Sequence, residues 1–511
     1  MKETATKIVR RLREAGHVAY FVGGCVRDMV RGVEPQDFDI ATSATPEEVQ
    51  RLFAKTVPVG AAFGVVLVIE DEHQFEVATF RSDDAYIDGR RPTGVRYGSA
   101  EEDAQRRDFT INGLFYDPWG VETRNSAPGG RALPTTDGGL GQHGLPTTGG
   151  APGGRALPTA SGTLPGIIDY VGGRADIEGK VVRTIGEPRQ RFTEDKLRML
   201  RAVRFAANLG FEIDPATFAV VKEMASQISV VSAERIREEL TKIFTRPHAG
   251  RGLELLDASG LLQEILPEIA AMKGVEQPPE FHPEGDVFQH TKLMLEMMSD
   301  AVRPAVAPYQ NPVETARSAS APYHDPVVLA FAVLLHDVGK PPTFQRAPDR
   351  IRFNDHDRIG AEMTETILRR LRFPNEQIEK IVRCVSEHMR FQFVKEMRPA
   401  KLKRILARDT FPEELELHRI DCASSHRNLE NYEFLKAKAA ELPPEAIKPE
   451  PLLNGHDLLA LGLTPGPKVG QILREIEELQ LEERLKSRAE ALEFAKSRVA
   501  APPSPDDAAA T

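Results

Sequence analysis

Two short stretches near the start of the chain decide the fold, GGCVRD at residues 23–28 and DFDIAT at residues 37–42. The first follows the apolar run HVAYFV, so it predicts a strand, a glycine turn and the beginning of a helix, where backbone N–H groups and Arg27 can face a phosphate. The second predicts a strand in which Asp37 and Asp39 point to the same side, because side chains alternate along a strand. Two converging carboxylates suit a pair of magnesium ions in phosphoryl transfer, and a polar strand end at the surface is the alternative.

Composition and charge restrict the class of protein. The chain has 511 residues, enough for several domains, and a formal net charge of -10. Nucleic acid would therefore have to bind at local basic segments such as 183–204 and 369–404, for which solvated helix faces are the alternative. The three cysteines form no CxxC pair, and no apolar run approaches the ~20 residues that span a bilayer. We expect a protein of the reducing cytoplasm with no membrane segment.

The order of predicted elements indicates an α+β fold, with a mixed α/β head followed by a helical body. Strand signals dominate before Arg191 and 3.6-residue periodicity dominates beyond it. The predicted domains are a head at 1–190, a neck at 191–275, a histidine-rich domain at 276–430 and a helical tail at 431–500. Residues 126–165, in which APGGRALPT occurs twice, and residues 501–511 are predicted to be disordered because they contain too little apolar surface to bury.

The stretch TEDKLRMLRAVRFAANLG, residues 193–210, predicts one amphipathic helix. On such a helix Asp195 and Arg198 share a face and present an acceptor beside a charged donor. That pair suits cytosine and adenine, which both offer an exocyclic amino group next to a ring acceptor, whereas uracil and guanine offer a carbonyl and an N–H. An ordinary salt bridge, worth about 0.2–0.5 kcal/mol, is the alternative. Arg201 continues the same helix face three residues after Arg198 and would contact either a phosphate or solvent.

A second group of polar residues lies in the helical half. In LAFAVLLHDVGK an adjacent His-Asp pair follows a buried apolar helix, where it is costly unless it is ligated. Any one histidine alone would more often be structural, but their order predicts a divalent metal site, with a transition metal or magnesium, that activates water against a phosphate ester. The predicted ligands are His290, His336, Asp337, His356, His388 and Asp421.

Taken together, these motifs resemble a known family. GGCVRD and DFDIAT, with RRDFTINGLFYD (106–117), TEDKLRMLRAVRF (193–205), SAERIREEL (232–240) and LLNGHDLLALGLTPGPKVGQIL (452–473), resemble the class II bacterial CCA-adding enzymes and poly(A) polymerases. The ordered histidines and aspartates resemble the HD phosphohydrolase superfamily. The resemblance implies a nucleotidyltransferase palm, an all-helical neck, an HD body and a tail. It also implies template-independent addition of CCA to tRNA from CTP and ATP, and hydrolysis of phosphate esters at RNA ends.

The resemblance also implies roles for single residues. Asp37 and Asp39 would hold the catalytic magnesium ions, while Glu76 would either complete that site or lie on the wet face of its strand. Asp195 and Arg198 would stand in for a template base. The residues implied to contact the sugar and phosphates of the nucleotide are Gly23, Gly24, Arg27, Arg107, Asp108 and Asn112. A homodimer is one assembly that the resemblance leaves open.

Three competing functions remain at this point. A poly(A) polymerase shares the head, but VGAAFGVVLV (59–68) lacks the basic element typical of those enzymes. Among enzymes that add only part of CCA, the loop at 81–98 argues against a CC-adding enzyme, and an A-adding enzyme stays open. The third alternative is an HD phosphohydrolase with an inactive, RNA-binding head. The intact residues Asp37, Asp39, Asp195 and Arg198 argue against it.

Overall fold

The computed structural model describes residues 1–60, 64–83, 95–120, 164–302 and 325–500. The chain forms two compact units, one from Met1 to Val230 and one that begins at Val231. The first is a mixed sheet with helices and the second is helical, so the predicted α+β class is confirmed. The division falls inside the predicted neck, while the four predicted domains stay predictions. Most of the predicted disordered segments and of the loop at 81–98 lies outside the described residues.

A seven-stranded sheet forms the centre of the first unit, in the order β3-β4-β5-β2-β1-β8-β9. Its strands are β1 (Ala19–Val22), β2 (Asp39–Thr42), β3 (Thr56–Gly60), β4 (Val65–Glu70), β5 (His73–Thr79), β8 (Leu114–Tyr116) and β9 (Ile167–Asp169). Strand β2 runs parallel to β5 and antiparallel to β1, and β4 and β5 form a hairpin. The two smaller strand pairs are β6 (Arg81–Asp83) with β7 (Val95–Tyr97), and β10 (Val181–Val182) with β11 (Glu212–Ile213).

The helices of the first unit begin where the sequence provides caps. Thr45 and Glu48 form a capping box at the start of α3, with Pro46 in the first helical position. The helices are α1 (Lys2–Glu14), α2 (Gly24–Val30), α3 (Pro46–Leu52), α4 (Ala100–Gln105), α5 (Gly173–Glu178), α6 (Pro188–Glu194), α7 (Leu197–Leu209) and α8 (Pro215–Met224). Phe21, Ile40, Phe75 and Phe115 are buried in the sheet core. Burial of such side chains is the main stabilising contribution to this unit.

The second unit consists of helices and one hairpin, β12 (Phe344–Arg346) with β13 (Ile351–Phe353). Its first helices are α9 (Ala233–Phe244), α10 (Ala249–Ala258), α11 (Leu261–Ile265), α12 (Pro267–Ala270), α13 (Val287–Val302), α14 (Pro326–Leu335), α15 (Lys340–Thr343) and α16 (His356–Arg370). They are followed by α17 (Asn375–Glu387), α18 (Pro399–Leu406), α19 (Phe411–Ser424), α20 (Glu430–Glu441), α21 (Pro444–Ile447), α22 (Gly455–Ala460), α23 (Pro467–Leu481) and α24 (Arg488–Ala500).

Helix α14 is the centre of this unit, because every residue from Val328 to Leu335 is buried. It packs against α13, which carries His290, against α17, which precedes His388, and against α19, which carries Asp421, while α16 with His356 packs against α17. Because an apolar helix buried on all sides is tightly packed, the residues directly after its C-terminus are held in a fixed position. His336 and Asp337 come directly after it, as the sequence predicts.

Candidate functional site

The first candidate site lies at the N-terminal end of β2. Its register with β5 pairs Ile40 with Val77, so the preceding residues, Asp39 and Glu76, lie side by side on adjacent strands. Asp37 precedes β2 in the exposed segment that leads into it. The pKa of Asp39 is raised to about 7 by burial and by the negative charges of Asp37 and Glu76. Three carboxylates that repel one another form a site that a divalent cation would stabilise, and they fit the predicted magnesium ions.

Gly23 lies beside these carboxylates in a backbone conformation that favours glycine, with φ of 75° and ψ of -128°. A Cβ atom there would lie 3.5 Å from Nη1 of Arg107 and 3.9 Å from Oδ2 of Asp39. Arg107 is held by Asp103, whose carboxylate lies 2.9 Å from Nη2 of Arg107 and is almost fully buried. The glycine turn, the positively charged side chain of Arg107 and the acidic cluster therefore lie next to one another. Asp103 was not predicted from the sequence. It lies on α4, four residues before Arg107, which follows the helix.

A hydrogen-bonded chain connects the other residues predicted to bind nucleotide. Arg27 donates through Nη1 to Oδ1 of Asn112 at 3.0 Å, and Asn112 donates through Nδ2 to Oδ1 of Asp108 at 3.2 Å. Arg201 donates to the second oxygen of Asp108 at 2.7 Å. Although burial alone would raise it, the pKa of Asp108 is held well below its usual range by Arg201 and Asn112. Three segments of the chain are thus joined around Arg27, and Arg201 is bound to a carboxylate in this arrangement.

The predicted single helix over 193–210 is wrong, because the chain breaks at Asp195. Helix α6 ends at Glu194 and α7 begins at Leu197, with Asp195 in an extended conformation between them. Its Oδ1 accepts a hydrogen bond from the N–H of Leu197 at 3.0 Å, so Asp195 caps the second helix and does not share a helical face with Arg198. The buried guanidinium of Arg198 donates instead to Glu194 at 2.5 Å.

The second candidate site brings all six predicted metal ligands together after α14. His290, His336, Asp337, His356 and His388 are buried. Nε2 of His290 lies 3.2 Å from Oδ1 of Asp421, and Nε2 of His336 lies 3.1 Å from Oδ2 of Asp337. Close packing makes this possible, since a Cβ atom at Gly339 would lie 2.1 Å from the carbonyl oxygen of His356. Helix α16 can therefore approach the His-Asp pair only if residue 339 is glycine.

The orientation of the histidine rings fits a metal centre. Nδ1 of each of three histidines lies 2.6–2.9 Å from a backbone carbonyl oxygen, His336 with Val333, His356 with Phe353 and His388 with Val385. These contacts place the ring proton on Nδ1 and leave the Nε2 lone pair for a ligand. The buried Nε2 atoms of His290 and His336, and Oδ2 of Asp337, make no hydrogen bond of acceptable geometry. Buried polar atoms that face one another without hydrogen bonds fit a shared cation.

Three residues that were not predicted as ligands surround this centre, namely Glu284, His282 and Lys340. Oε1 of Glu284 lies 2.6 Å from Nδ1 of His290 and 2.9 Å from Nδ1 of His282. Against the effect of burial, Asp421 and Glu284 raise the pKa of His290 to about 9. Lys340 lies 2.8 Å from Oδ2 of Asp337. Although burial alone would raise it, the pKa of Asp337 is held well below its usual range, with His336 and Lys340 as the main lowering charges.

Two further expectations from the sequence concern cysteine and the membrane. Cys25, Cys384 and Cys422 are all free and buried. Within the ranges that the structure describes, no helix combines the length and the apolar character needed to cross a bilayer.

Four family models match most of the chain, and the last two of them overlap. A poly(A) polymerase head domain matches residues 19–134, and an RNA-binding segment of polymerase A matches residues 210–273. An HD domain matches residues 289–422, and a tRNA nucleotidyltransferase domain 2 matches residues 357–495. The order of these matches agrees with the order of the two candidate sites.

Curated relatives and solved structures agree with these matches. The CCA-adding enzyme of Geobacillus stearothermophilus is 37% identical over 52% of this chain and 55% of its own length, so the chain spans about half of that relative. The CCA-adding enzyme of Bacillus cytotoxicus is 29% identical over 96% of both chains. The crystal structure of the Bacillus stearothermophilus CCA-adding enzyme in complex with CTP has a TM-score of 0.64 at 25% identity and covers 97% of both chains. The chain therefore carries a poly(A) polymerase head domain, a tRNA nucleotidyltransferase domain 2 and an HD domain, and it is similar to a bacterial CCA-adding enzyme over nearly its whole length.

Proposed function

We propose that this chain adds CCA to the 3′ ends of tRNA without a template, using CTP and ATP. The observation that carries the proposal is the meeting of Asp37, Asp39 and Glu76 with Gly23 and Arg107 at the end of β2. An RNA-binding platform alone has no use for three mutually repelling carboxylates. The full-length similarity to the CCA-adding enzyme of Bacillus cytotoxicus supports the same function.

In this site, the three carboxylates would hold Mg²⁺, which activates the 3′-hydroxyl of the RNA and stabilises the departing pyrophosphate. Gly23 and Gly24 would let the triphosphate approach the backbone closely, because neither carries a side chain. Arg107, fixed by Asp103, would place a positive charge beside the phosphates. Such preorganised charge is worth most where water is excluded.

The hydrogen-bonded chain through Asp108 and Asn112 would orient Arg27 towards the nucleotide, with Arg201 at its other end. Asp108 is buried and binds two partners, so it restricts the positions of both. This arrangement reduces the conformational entropy that would be lost when the nucleotide binds. Asp108 thus acts through Asn112 and Arg201 on the nucleotide site.

We propose further that Asp195 and Arg198 select cytosine and adenine, as a substitute for the template base. The helix break leaves Asp195 between α6 and α7, while Glu194 holds the guanidinium of Arg198. Base selection would therefore use an acceptor from the interhelical turn and a donor from the first turn of α7. Each bidentate contact of this kind discriminates by about 1–3 kcal/mol.

The experiment that tests this function offers tRNA transcripts ending before CCA, after C and after CC, each with one nucleotide triphosphate at a time. A CCA-adding enzyme extends the first two with CTP alone and the third with ATP alone. Extension of only the third transcript, with ATP, would identify an A-adding enzyme. Repeated addition of A to all three would identify a poly(A) polymerase.

We propose a second activity for the HD domain, which is hydrolysis of phosphate esters at RNA ends. Its support is the convergence of four histidines and two aspartates, with the Nε2 atoms facing inward. A divalent cation there would supply activated water and neutralise the phosphate. The test offers RNA ending in a 2′,3′-cyclic phosphate or a 2′-phosphate to the metal-loaded protein. Hydrolysis without nucleotide addition would favour the alternative of an inactive head.

A further inference from the structure

The loop that precedes and enters α13, residues 275–287, packs beside the ligands of the HD domain. Its two ends are joined, because the N–H of Val287 donates to the carbonyl oxygen of Val275 at 3.1 Å. Within the loop, the ring centre of His282 lies 4.9 Å from the ring centre of His290. The 275–287 loop is therefore fixed against one of the predicted metal ligands and forms one side of the HD centre.

Gln277 is a buried amide in this loop, with 6% of its surface exposed. Its Oε1 accepts a hydrogen bond from Nζ of Lys340 at 2.7 Å. Because an ammonium group can only donate, this contact determines which end of the amide is oxygen and which is nitrogen. The same ammonium lies 2.8 Å from Oδ2 of Asp337, a predicted metal ligand. Gln277 is thus connected to the metal centre through a single cationic side chain.

The nitrogen end of this amide makes no hydrogen bond. Among the residues that the structure describes, none provides an acceptor to the buried Nε2 atom of Gln277. Nε2 carries two N–H donors, and buried donors without an acceptor destabilise a folded chain. Lys340 carries three N–H donors, and its two oxygen partners belong to Gln277 and Asp337. Two segments of the chain therefore bring N–H donors that still need an acceptor to the edge of the HD centre.

A phosphate group has the chemistry that these donors require. N–H groups cannot coordinate a cation, so the amide nitrogen of Gln277 and the ammonium of Lys340 are not further metal ligands. Phosphate oxygens accept hydrogen bonds from amides and ammonium groups, and such bonds are strong because the acceptor is charged. A phosphate group that uses one oxygen at the metal centre keeps further oxygens for donors on the surrounding loop.

We propose that Gln277 binds the phosphate group of the substrate in the HD domain, with Nε2 donating to a non-bridging phosphate oxygen while Oε1 holds Lys340. The inference rests on the proposed phosphate-ester hydrolysis and adds a substrate-binding residue outside the metal ligands. Monoesters and diesters both carry non-bridging oxygens, so the same contact serves either class. Inorganic phosphate carries these oxygens as well and is therefore the simplest probe.

Binding of inorganic phosphate tests the contact without any turnover. The full chain carrying Asp37→Asn and Asp39→Asn, which removes the two aspartates of the head site, is loaded with Mn²⁺, desalted and analysed for manganese per chain. It is then titrated with inorganic phosphate, and the Kd is obtained from the change in water proton relaxation as phosphate replaces water on the ion. We expect saturable binding in this parent.

Two substitutions of Gln277 sharpen the test in that parent. Gln277→Glu keeps an oxygen for Lys340 but replaces the N–H donors with a charged oxygen, and Gln277→Met removes both polar ends at similar size. Each should raise the Kd for phosphate by about tenfold or more and leave manganese per chain unchanged, because a hydrogen bond to a charged group is lost. The matched control is Gln289→Glu, the same change at an exposed glutamine next to His290, and it should keep the parental Kd.

A Lys340→Met background separates direct from indirect action. If Nε2 of Gln277 contacts phosphate itself, Gln277→Met should raise the Kd severalfold in this background too. If Gln277 only holds Lys340, the substitution should have no further effect once Lys340 is removed, since the two residues would then act as one unit.

Three results would overturn the proposal. An unchanged Kd in both Gln277 variants would mean that the amide does not contact phosphate. A Kd raised only by Gln277→Glu would reflect charge repulsion alone. No further effect of Gln277→Met in the Lys340→Met background would leave Gln277 as a residue that only positions the lysine. Failure of the proposed hydrolase looks different, because the parent itself would then bind no Mn²⁺ or, when loaded with Mn²⁺, no phosphate.

Discussion

Replacing Asp39 with asparagine should stabilise the metal-free protein while it abolishes nucleotide addition. Burial and the charges of Asp37 and Glu76 raise the pKa of the Asp39 carboxyl to about 7, compared with 3.8 for an ordinary aspartate. The folded state therefore binds this proton more tightly than the unfolded state. Stability falls as pH rises from about 4 to about 7 and is constant above, because the charged carboxylate is disfavoured only in the folded chain.

The size of the expected gain in the free energy of unfolding follows from the same shift in pKa. About three pKa units correspond to about 4 kcal/mol at 1.36 kcal/mol per unit. Because Asp39 is only partly buried, we expect solvent screening to reduce the penalty to about 2 kcal/mol. Asparagine has nearly the same shape without the charge. The variant should therefore exceed the parent by about 2 kcal/mol near pH 8 and by only about 1 kcal/mol near pH 4.5, where the parent carboxyl is largely protonated when folded but already mostly ionised when unfolded.

Denaturant unfolding with a chelator present measures this difference. The single tryptophan, Trp119, belongs to the first unit, so its fluorescence reports unfolding of the unit that contains Asp39. Glu72→Gln, which removes an exposed carboxylate from the β4–β5 hairpin, is the matched control and should show no such gain. An equal effect of Asp39→Asn at both pH values, or addition of nucleotides by the variant at the parental rate with Mg²⁺, would refute the reasoning.

Four further predictions follow from the two sites and the sheet. Arg198→Ala should lower the ratio of kcat/KM for CTP over UTP by about tenfold or more, because it removes one of the two proposed base contacts. Asp39→Ala should abolish addition and preserve phosphate-ester hydrolysis, and Asp337→Ala should do the reverse, since the two residues lie in different units. Replacing residues 126–165 with a short turn should preserve tRNA extension, because β8 and β9 pair directly on either side of this segment. Glu284→Gln should weaken Mn²⁺ binding to the HD domain by about 10–100-fold, because the carboxylate orients Nδ1 of His290.

Each of these predictions has a result that contradicts it. An unchanged CTP/UTP ratio at normal rates would leave Arg198 as a structural partner of Glu194. Loss of both activities in a folded single-site variant would mean that the sites are coupled. A folded deletion variant that no longer extends tRNA would assign the segment 126–165 a function. Unchanged Mn²⁺ affinity in Glu284→Gln would show that metal binding by His290 does not depend on the carboxylate at its Nδ1. Glu280→Gln, in the same region, is the control for this measurement.

The features predictable from sequence are those that local rules determine. The capping box at Thr45, the β4–β5 hairpin and the position of the His-Asp pair after an apolar helix each depend on a few adjacent residues. The six predicted HD ligands also lie close together, because α13, α17 and α19 pack against α14 and α16 packs against α17.

The break at Asp195 shows where periodicity misleads. Apolar residues continue at helical spacing on both sides, so the pattern indicates one helix, while the side chain of Asp195 caps a new one. Glu284 could not have been found from sequence, because it lies in an irregular segment before α13 and reaches His290 only through the folded loop. Long-range contacts of this kind have no local sequence signal.

The most direct test of the central claim is the product formed from a tRNA transcript that lacks CCA, incubated with Mg²⁺ and all four nucleotide triphosphates, and then sequenced at its 3′ end. We expect the addition of C, C and A, followed by termination, and no product from the Asp39→Asn variant. A long A tail, a mixed sequence, or the same product from the variant would contradict it.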